Sequence, residues 1–257
     1  MTRLRAILFN LAFFTGTGLM AIVGLPFALA PRRAAMAFGR IWSRWSLALL
    51  KAIVGLDAEI RGCEHLPSGA CLIAMKHQSM WDTLILPVAL GDPAVVIKRE
   101  LLLVPCYGWF AARAGSIFVD RKGGAAALRR MVAAARRAAE GGRKIVIFPQ
   151  GTRTAPGQHG PTYHTGVAAL YQALGLPLVP VAVNSGLYWG RRSFVKRPGR
   201  IILEFLPAIP PGLPRRRMMA EMEGRIEAAT DRLVAEGERA LARRVAQAGR
   251  DAEHAAS

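Results

Sequence analysis

The stretch AMKHQSMWDTLIL (Ala74–Leu86) leaves one apolar run, sets His77 and Asp82 five residues apart, and becomes apolar again. On a regular helix, residues five apart point about 140° away from each other, because each residue turns ~100°. A contact between the two side chains therefore requires a turn that enters a helix, with the histidine in the loop and the aspartate in the first turn. The same residues also suit a plain helix N-terminus, with Ser79 as cap and Asp82 at the third helical position against the dipole. Taken by itself, the pair favours this second, purely structural arrangement.

Outward from this stretch, short β-branched runs alternate with helical patterns. Strands are expected at Ala70–Lys76, Ala94–Lys98, Ser116–Asp120, Lys144–Phe148, Leu178–Val183 and Ile201–Phe205, and helices at Ala125–Glu140 and Gly166–Leu174. Such alternation predicts an α/β domain with a mixed, largely parallel sheet flanked by helices. Ligands of such sheets collect at the carboxyl ends of the strands. His77, Arg121 and the loop PQGTR (Pro149–Arg153) each follow a strand directly, so they are candidates to converge. From Arg215 onward the chain reads as a charged helix with Met222, Ile226, Ala229 and Leu233 on one face, fraying after about Gln247. The expected organisation is residues 1–58 as N-terminal membrane-anchoring helices, 59–212 as the α/β domain and 213–257 as the charged helix.

The chain has 257 residues, 35 Lys and Arg against 17 Asp and Glu, and a net charge of +18. This balance calls for an anionic partner: nucleic acid, a membrane surface or a phosphorylated substrate. A 52% hydrophobic composition and a mean hydropathy of +0.24 favour the membrane surface. Cys63, Cys71 and Cys106 show neither disulfide nor metal spacing, and an odd number fits a reducing compartment.

Ala6–Ala30 carries no formal charge, and about 20 such residues suffice to span a bilayer. The run is longer than the ~7–15 residues of a signal-peptide core. Cleavage after Ala28-Leu29-Ala30 would also have to cut before Pro31. The segment is read as an anchor, broken or straight, since Gly16, Gly18, Gly24 and Pro26 weaken a single span. In the next segment, Arg33, Arg40, Arg44 and Lys51 share one line of a helical wheel. Phe38, Trp42, Trp45, Leu49 and Ile53 gather opposite. This describes a helix lying in the interface beside anionic lipid, or one packed on its own domain.

Four blocks occur in order: KHQSMWD (Lys76–Asp82), GSIFVDR (Gly115–Arg121), FPQGTR (Phe148–Arg153) and VPVAVNS (Val179–Ser185). Together they resemble the signature blocks of the glycerolipid acyltransferases, most closely those of the 1-acyl-sn-glycerol-3-phosphate acyltransferases. IKRELLLVPCYGW (Ile97–Trp109) is similar to that family's connecting segment. Four ordered blocks outweigh an isolated H-x4-D, and they reverse the structural reading of the pair.

The resemblance implies transfer of an acyl chain from a thioester to the sn-2 hydroxyl of lysophosphatidic acid, giving phosphatidic acid. It makes His77 the general base and Asp82 its orienting partner. It assigns the acceptor phosphate to Arg121 and the loop Gln150, Gly151, Thr152 and Arg153, with Lys98 as a secondary candidate. No metal and no cofactor is implied; acyl-CoA or acyl carrier protein is the co-substrate. The expected partners are membrane lipids and lysophosphatidic acid, without nucleic acid, at the cytoplasmic face of the inner membrane.

Gln150 stands where the family usually has glutamate, and Lys76 where it usually has asparagine. These departures leave open another lysophospholipid or a lyso-aminolipid as acceptor. The rival from another class is a non-catalytic basic protein that binds membrane or nucleic acid. Turnover of a thioester separates the two.

Overall fold

The computed structural model describes residues 2–160 and 162–256. Its seven strands are β1 (Leu56–Arg61), β2 (Leu72–Met75), β3 (Ala94–Lys98), β4 (Ile117–Val119), β5 (Ile145–Ile147), β6 (Leu178–Val183) and β7 (Gly199–Phe205). They form one sheet in the order β1-β7-β6-β2-β5-β3-β4. Every neighbouring pair is parallel except β6 with β7. The sheet is thus mixed and largely parallel, as the alternation of patterns predicts.

β2 lies at the centre, with Ile73 opposite Val146 on one side and Val179 on the other. Successive side chains of a strand point to opposite faces. Ile73 and Met75 accordingly join one buried cluster, while Leu72 and Ala74 join a second. Burial on both faces explains why β2 reads as an unbroken apolar run. The second cluster is covered by α5 (Gly124–Glu140), α6 (Gly166–Leu174) and α8 (Arg215–Ala256) through residues such as Met131, Tyr171 and Met222. The first is covered by α3 (Trp81–Leu90) and by the N-terminal helices. Two short helices, α4 (Tyr107–Arg113) and α7 (Ser185–Tyr188), complete the set.

The expected strands Ala94–Lys98 and Leu178–Val183 and the helix Gly166–Leu174 have the anticipated limits. β1 is an addition. It is an edge strand that pairs in parallel with β7, and the expected boundary after residue 58 falls inside it. The expected face of α8 is buried, but the helix continues past Gln247 to Ala256. It is fastened to the sheet by Arg61, whose guanidinium donates to Glu236 at 2.8 and 2.9 Å. Asn184 adds a second fastening: it donates to the Leu233 carbonyl at 3.1 Å and accepts from the Ile202 N–H at 2.8 Å.

α1 (Thr2–Val23) is one continuous helix, long and apolar enough to cross a membrane, with a mean hydropathy of 1.9 over its most apolar window. It ends at Gly24, before a short 3-10 turn, Leu25–Ala28, that holds Pro26. One face, with Ala6, Phe9 and Phe13, is buried, the two phenylalanines in the first cluster; the opposite face leaves Leu4, Leu11, Phe14 and Ile22 exposed. The middle of the helix is pinned to the α/β domain. Lys196 Nζ donates to Asn10 Oδ1 at 2.6 Å and sits 5.1 Å from the Phe9 ring and 5.0 Å from the Trp189 ring. Burial pushes the Lys196 ammonium down to about 8. Lys196 belongs to the run of Arg191, Arg192, Lys196 and Arg197, and it is buried while those three arginines are exposed.

α2 (Arg32–Leu49) continues through a wider turn, Leu50–Val54, into β1. Arg33, Arg44 and Lys51 are exposed on it, as the wheel predicts, while Arg40 of the same line is half-buried. The tryptophans on the opposite side turn to α1. Trp42 Nε1 donates to Thr17 Oγ1 at 3.1 Å, and Trp45 stacks on Phe13 with centroids 6.4 Å apart. Gly16 makes this possible, since a Cβ there would lie 2.3 Å from the Trp45 ring. The glycine that weakens a span by propensity serves here as the contact point of two helices.

Candidate active site

β2 ends at Met75, α3 begins at Trp81, and the five residues between them form the turn that the spacing requires. His77 lies in the loop and Asp82 in the first turn of α3. His77 Nδ1 is 2.8 Å from Asp82 Oδ2. The same oxygen accepts the backbone N–H of Gln78 at 2.7 Å and of Ser79 at 2.8 Å. Ser79 Oγ accepts from the Trp81 N–H at 3.2 Å. The carboxylate therefore stands at the positive end of α3 and also organises the loop that carries the imidazole. With Asp82 accepting at Nδ1, the proton sits on that nitrogen and Nε2 keeps its lone pair. The imidazole lies against the Phe148 ring, with centroids 4.2 Å apart.

Asp82 has one further partner that sequence reasoning missed. Ser185 Oγ donates to Asp82 Oδ1 at 2.5 Å from the first position of α7, just after β6, and both residues are wholly buried. The serine was visible as the last residue of the fourth block, but its target lies 103 positions away. Ser185→Ala removes a hydrogen bond to a charged group, a class that contributes about 1.5–3 kcal/mol. The expected result is a roughly ten-fold fall in kcat, with the Michaelis constants of both substrates unchanged. Ser185→Thr, which keeps the hydroxyl, should recover much of the loss. Steady-state kinetics on the three proteins checks this.

The acceptor candidates meet at the same edge of the sheet. Arg121 follows β4, and the loop 149–153 follows β5. Gly151 has φ +64°, and a Cβ there would lie 3.0 Å from two Arg121 guanidinium nitrogens and 2.9 Å from the His164 ring. The loop can pass beneath the guanidinium because this residue is glycine. Burial draws the Arg121 guanidinium below its usual range, and the nearby Glu100 charge opposes the shift. Thr154 N–H donates to the His77 carbonyl at 2.9 Å, which ties this loop to the histidine. Thr152 and Arg153 are half-buried, and Arg153 has no ion-pair partner among the described residues.

Two candidates lie differently. Gln150 is buried and faces inward, its Oε1 accepting from Thr154 Oγ1 at 3.3 Å. Among the described residues, its amide nitrogen has no partner. Its position supports the loop from behind, on the inner side. Lys98 ends β3 and is exposed, without an ion-pair partner among the described residues.

Lys76, the other departure, points away from this edge. Its Nζ donates to both carboxylate oxygens of Glu227 on α8, at 2.6 and 2.7 Å, and to the Gln158 carbonyl at 3.3 Å. Tyr163 donates its hydroxyl to Glu227 Oε1 at 2.7 Å. Burial first, and Glu227 second, push the Tyr163 phenol far above its ordinary range. It stays protonated and remains a donor. His159 forms an exposed pair with Asp231 at 3.1 Å.

Comparison with known proteins supplies the context. Residues 57–184 match the family model described as Acyltransferase. A 1-acyl-sn-glycerol-3-phosphate acyltransferase of Pseudomonas aeruginosa is 35% identical over 195 residues, covering 76% of each chain. The alpha form of that enzyme from Mus musculus is 30% identical over 206 residues, covering 78% of this chain and 71% of the relative. The crystal structure of the 1-acyl-sn-glycerophosphate acyltransferase PlsC from Thermotoga maritima has the same fold. It superposes with a TM-score of 0.74 over 91% of this chain and 98% of that one, at 19% identity.

Proposed function

The chain belongs to the 1-acyl-sn-glycerol-3-phosphate acyltransferase family, and on that premise we propose that it transfers an acyl chain from a thioester to the sn-2 hydroxyl of 1-acyl-sn-glycerol-3-phosphate. The observation that carries this reading is the His77–Asp82 contact at 2.8 Å, on the strand edge where Arg121 overlies Gly151. His77 Nε2 takes the hydroxyl proton as that oxygen attacks the thioester carbonyl. The C–O bond forms, the C–S bond breaks, and the departing thiolate takes the proton back from the imidazolium. Asp82 holds the ring in the reactive tautomer and stabilises its cation. Water and a covalent acyl-enzyme are not needed, because the thioester is already activated.

Arg121 and Arg153 bind the acceptor phosphate as forked donors, and the backbone at Gly151 closes on it. Lys76 was one ground for expecting a different acceptor. Its burial against Glu227 speaks for a structural role instead. The donor is acyl-CoA or acyl carrier protein, and the enzyme works at a membrane surface.

The test is a panel of lysophospholipid and lyso-aminolipid acceptors against both donors, with protein in detergent. Lysophosphatidic acid is the expected substrate. Arg153→Ala should raise its Michaelis constant about ten-fold or more, since one charge-assisted donor is lost, and leave the donor's constant alone. Preference for a phosphate-free acceptor, with Arg153→Ala silent, refutes the assignment. No turnover with any acceptor would favour a non-catalytic membrane-binding protein.

A further inference from the structure

Between β3 and β4 the chain spends nine residues, Leu101–Trp109, on a surface that buries little of its apolar content. Leu103 is 82% exposed and Trp109 54%, with Leu102, Val104 and Tyr107 also exposed. A cluster of this kind on a folded surface marks a partner. We propose that this segment is a second membrane-contact element, part of the catalytic domain itself, and that its partner is the lipid surface.

The segment is built as a fixed projection. At its turn Cys106 holds φ 61°, with the Tyr107 N–H donating to the Pro105 carbonyl at 2.6 Å. Gly108 N–H then donates to Val104 O at 2.9 Å. A Cβ at Gly108 would lie 2.1 Å from the Leu102 carbonyl oxygen, so glycine permits the fold-back. Val104, Tyr107 and Gly108 thus donate their N–H groups within the segment, which lowers the cost of placing its backbone in apolar surroundings.

Its base is joined to the N-terminal helices. Phe110 stacks on Phe38 at 5.4 Å, and Phe38 stacks on Phe27 at 5.0 Å. Arg113 donates to the carbonyls of Leu29 and Ala30. Leu25 and Leu29 in that turn are exposed, and so is the outer face of α1 before them. The apolar surface of the anchor thus continues onto the catalytic domain. Leucine and valine at the tip, beside tyrosine and tryptophan, are the side chains that suit a headgroup boundary. Arg99, exposed two residues before the segment, can reach phosphates.

The placement links the surface to the site. The segment is joined to Lys98, at the carboxyl edge of the sheet, by Arg99 and Glu100; Glu100 is the charge felt by Arg121, and Arg99 pairs with Asp120 at 3.5 Å. Resting on the bilayer, it sets the Arg121–Gly151 site at headgroup depth, so that a lysolipid reaches His77 without leaving the membrane. This last step rests on the proposed acceptor; the membrane contact does not.

The test uses the full chain. An environment-sensitive fluorophore on Leu103→Cys, with Cys63 and Cys106 replaced by serine, should shift to the blue when mixed phosphatidylcholine and phosphatidylglycerol vesicles are added. Leu103→Ser/Trp109→Ser should lower transfer to a long-chain acceptor embedded in those vesicles about ten-fold, while transfer to a short-chain, monomeric acceptor stays within about two-fold, because the loss is one of apolar burial. A label that remains in water on vesicles overturns the proposal. So does an unchanged vesicle rate, or a concentration-dependent dimer that the double substitution abolishes, which would make a second copy the occupant. If wild type acylates no acceptor, the functional reading fails and the fluorescence still decides the surface.

Discussion

His77→Ala should abolish acyl transfer, with a fall in kcat of at least about 10³–10⁴. It should leave the fold unchanged, because the ring caps the site and supports no strand. Asp82→Asn should cost nearly as much for a different reason. An asparagine can present its amide to Nδ1 and fix the wrong tautomer, with the lone pair facing inward. It also gives up the negative charge that accepts from Gln78, Ser79 and Ser185, so the loop itself loosens. The two substitutions are thereby separable. His77→Ala should melt like wild type, whereas Asp82→Asn should be inactive and melt lower. The measurement is thioester turnover beside thermal unfolding in the same detergent. Substantial turnover by His77→Ala at saturating substrate would sink the general-base mechanism.

The largest expected loss of stability lies one residue earlier. Lys76 and Glu227 are both buried, and the pair joins the end of β2 to α8 across 151 positions. Lys76→Met would leave the carboxylate with the Tyr163 hydroxyl alone. Removing one partner of a buried pair costs about 3–5 kcal/mol. In a domain of this size that is a fall of roughly 6–20 °C in Tm. Lys76→Met/Glu227→Leu removes both charges and should recover most of the loss, since an apolar pair of similar volume is often neutral or better. If the single and double variants melt alike, the pair is not what holds α8 at this point.

What could be read in advance was local. The buried run of β2, the turn and the start of α3 lie within twenty residues, and each is written in its own side chains. β6 and α6 show their limits because an apolar strand and a glycine-ended helix carry their own boundaries. β1 escaped because LDAEIR is short and charged, and its pairing with β7 joins Leu56 to Gly199. The wheel of α2 separates two faces correctly but cannot say what covers them, and the tryptophans proved to face α1. Residues 76, 185 and 227 escaped for the same reason as β1. Their partners are set by topology, and the departure at Lys76 has no visible reason until α8 places Glu227 beside it. The Asp82 contact needs only a turn of five residues, but the pair alone favoured a plain helix N-terminus, and the four ordered blocks were what reversed that reading.

The pinning of α1 also orders events during synthesis. Phe9 meets the Trp189 ring edge-on at 5.8 Å, and these residues are 180 positions apart in the chain. At a translation rate of about 5–20 residues per second, Phe9 waits on the order of 10–40 s for that partner. Trp45 arrives much sooner and can shield Phe13, but neither the Trp189 ring nor the Lys196 ammonium can. During the interval the apolar helix has a bilayer within reach and no completed domain to rest on. A nascent helix that meets a bilayer in that interval would be held there before β7 exists, and its docking against Trp189 and Lys196 would close the core afterwards. A ribosome stalled short of residue 189 should already sediment with membranes.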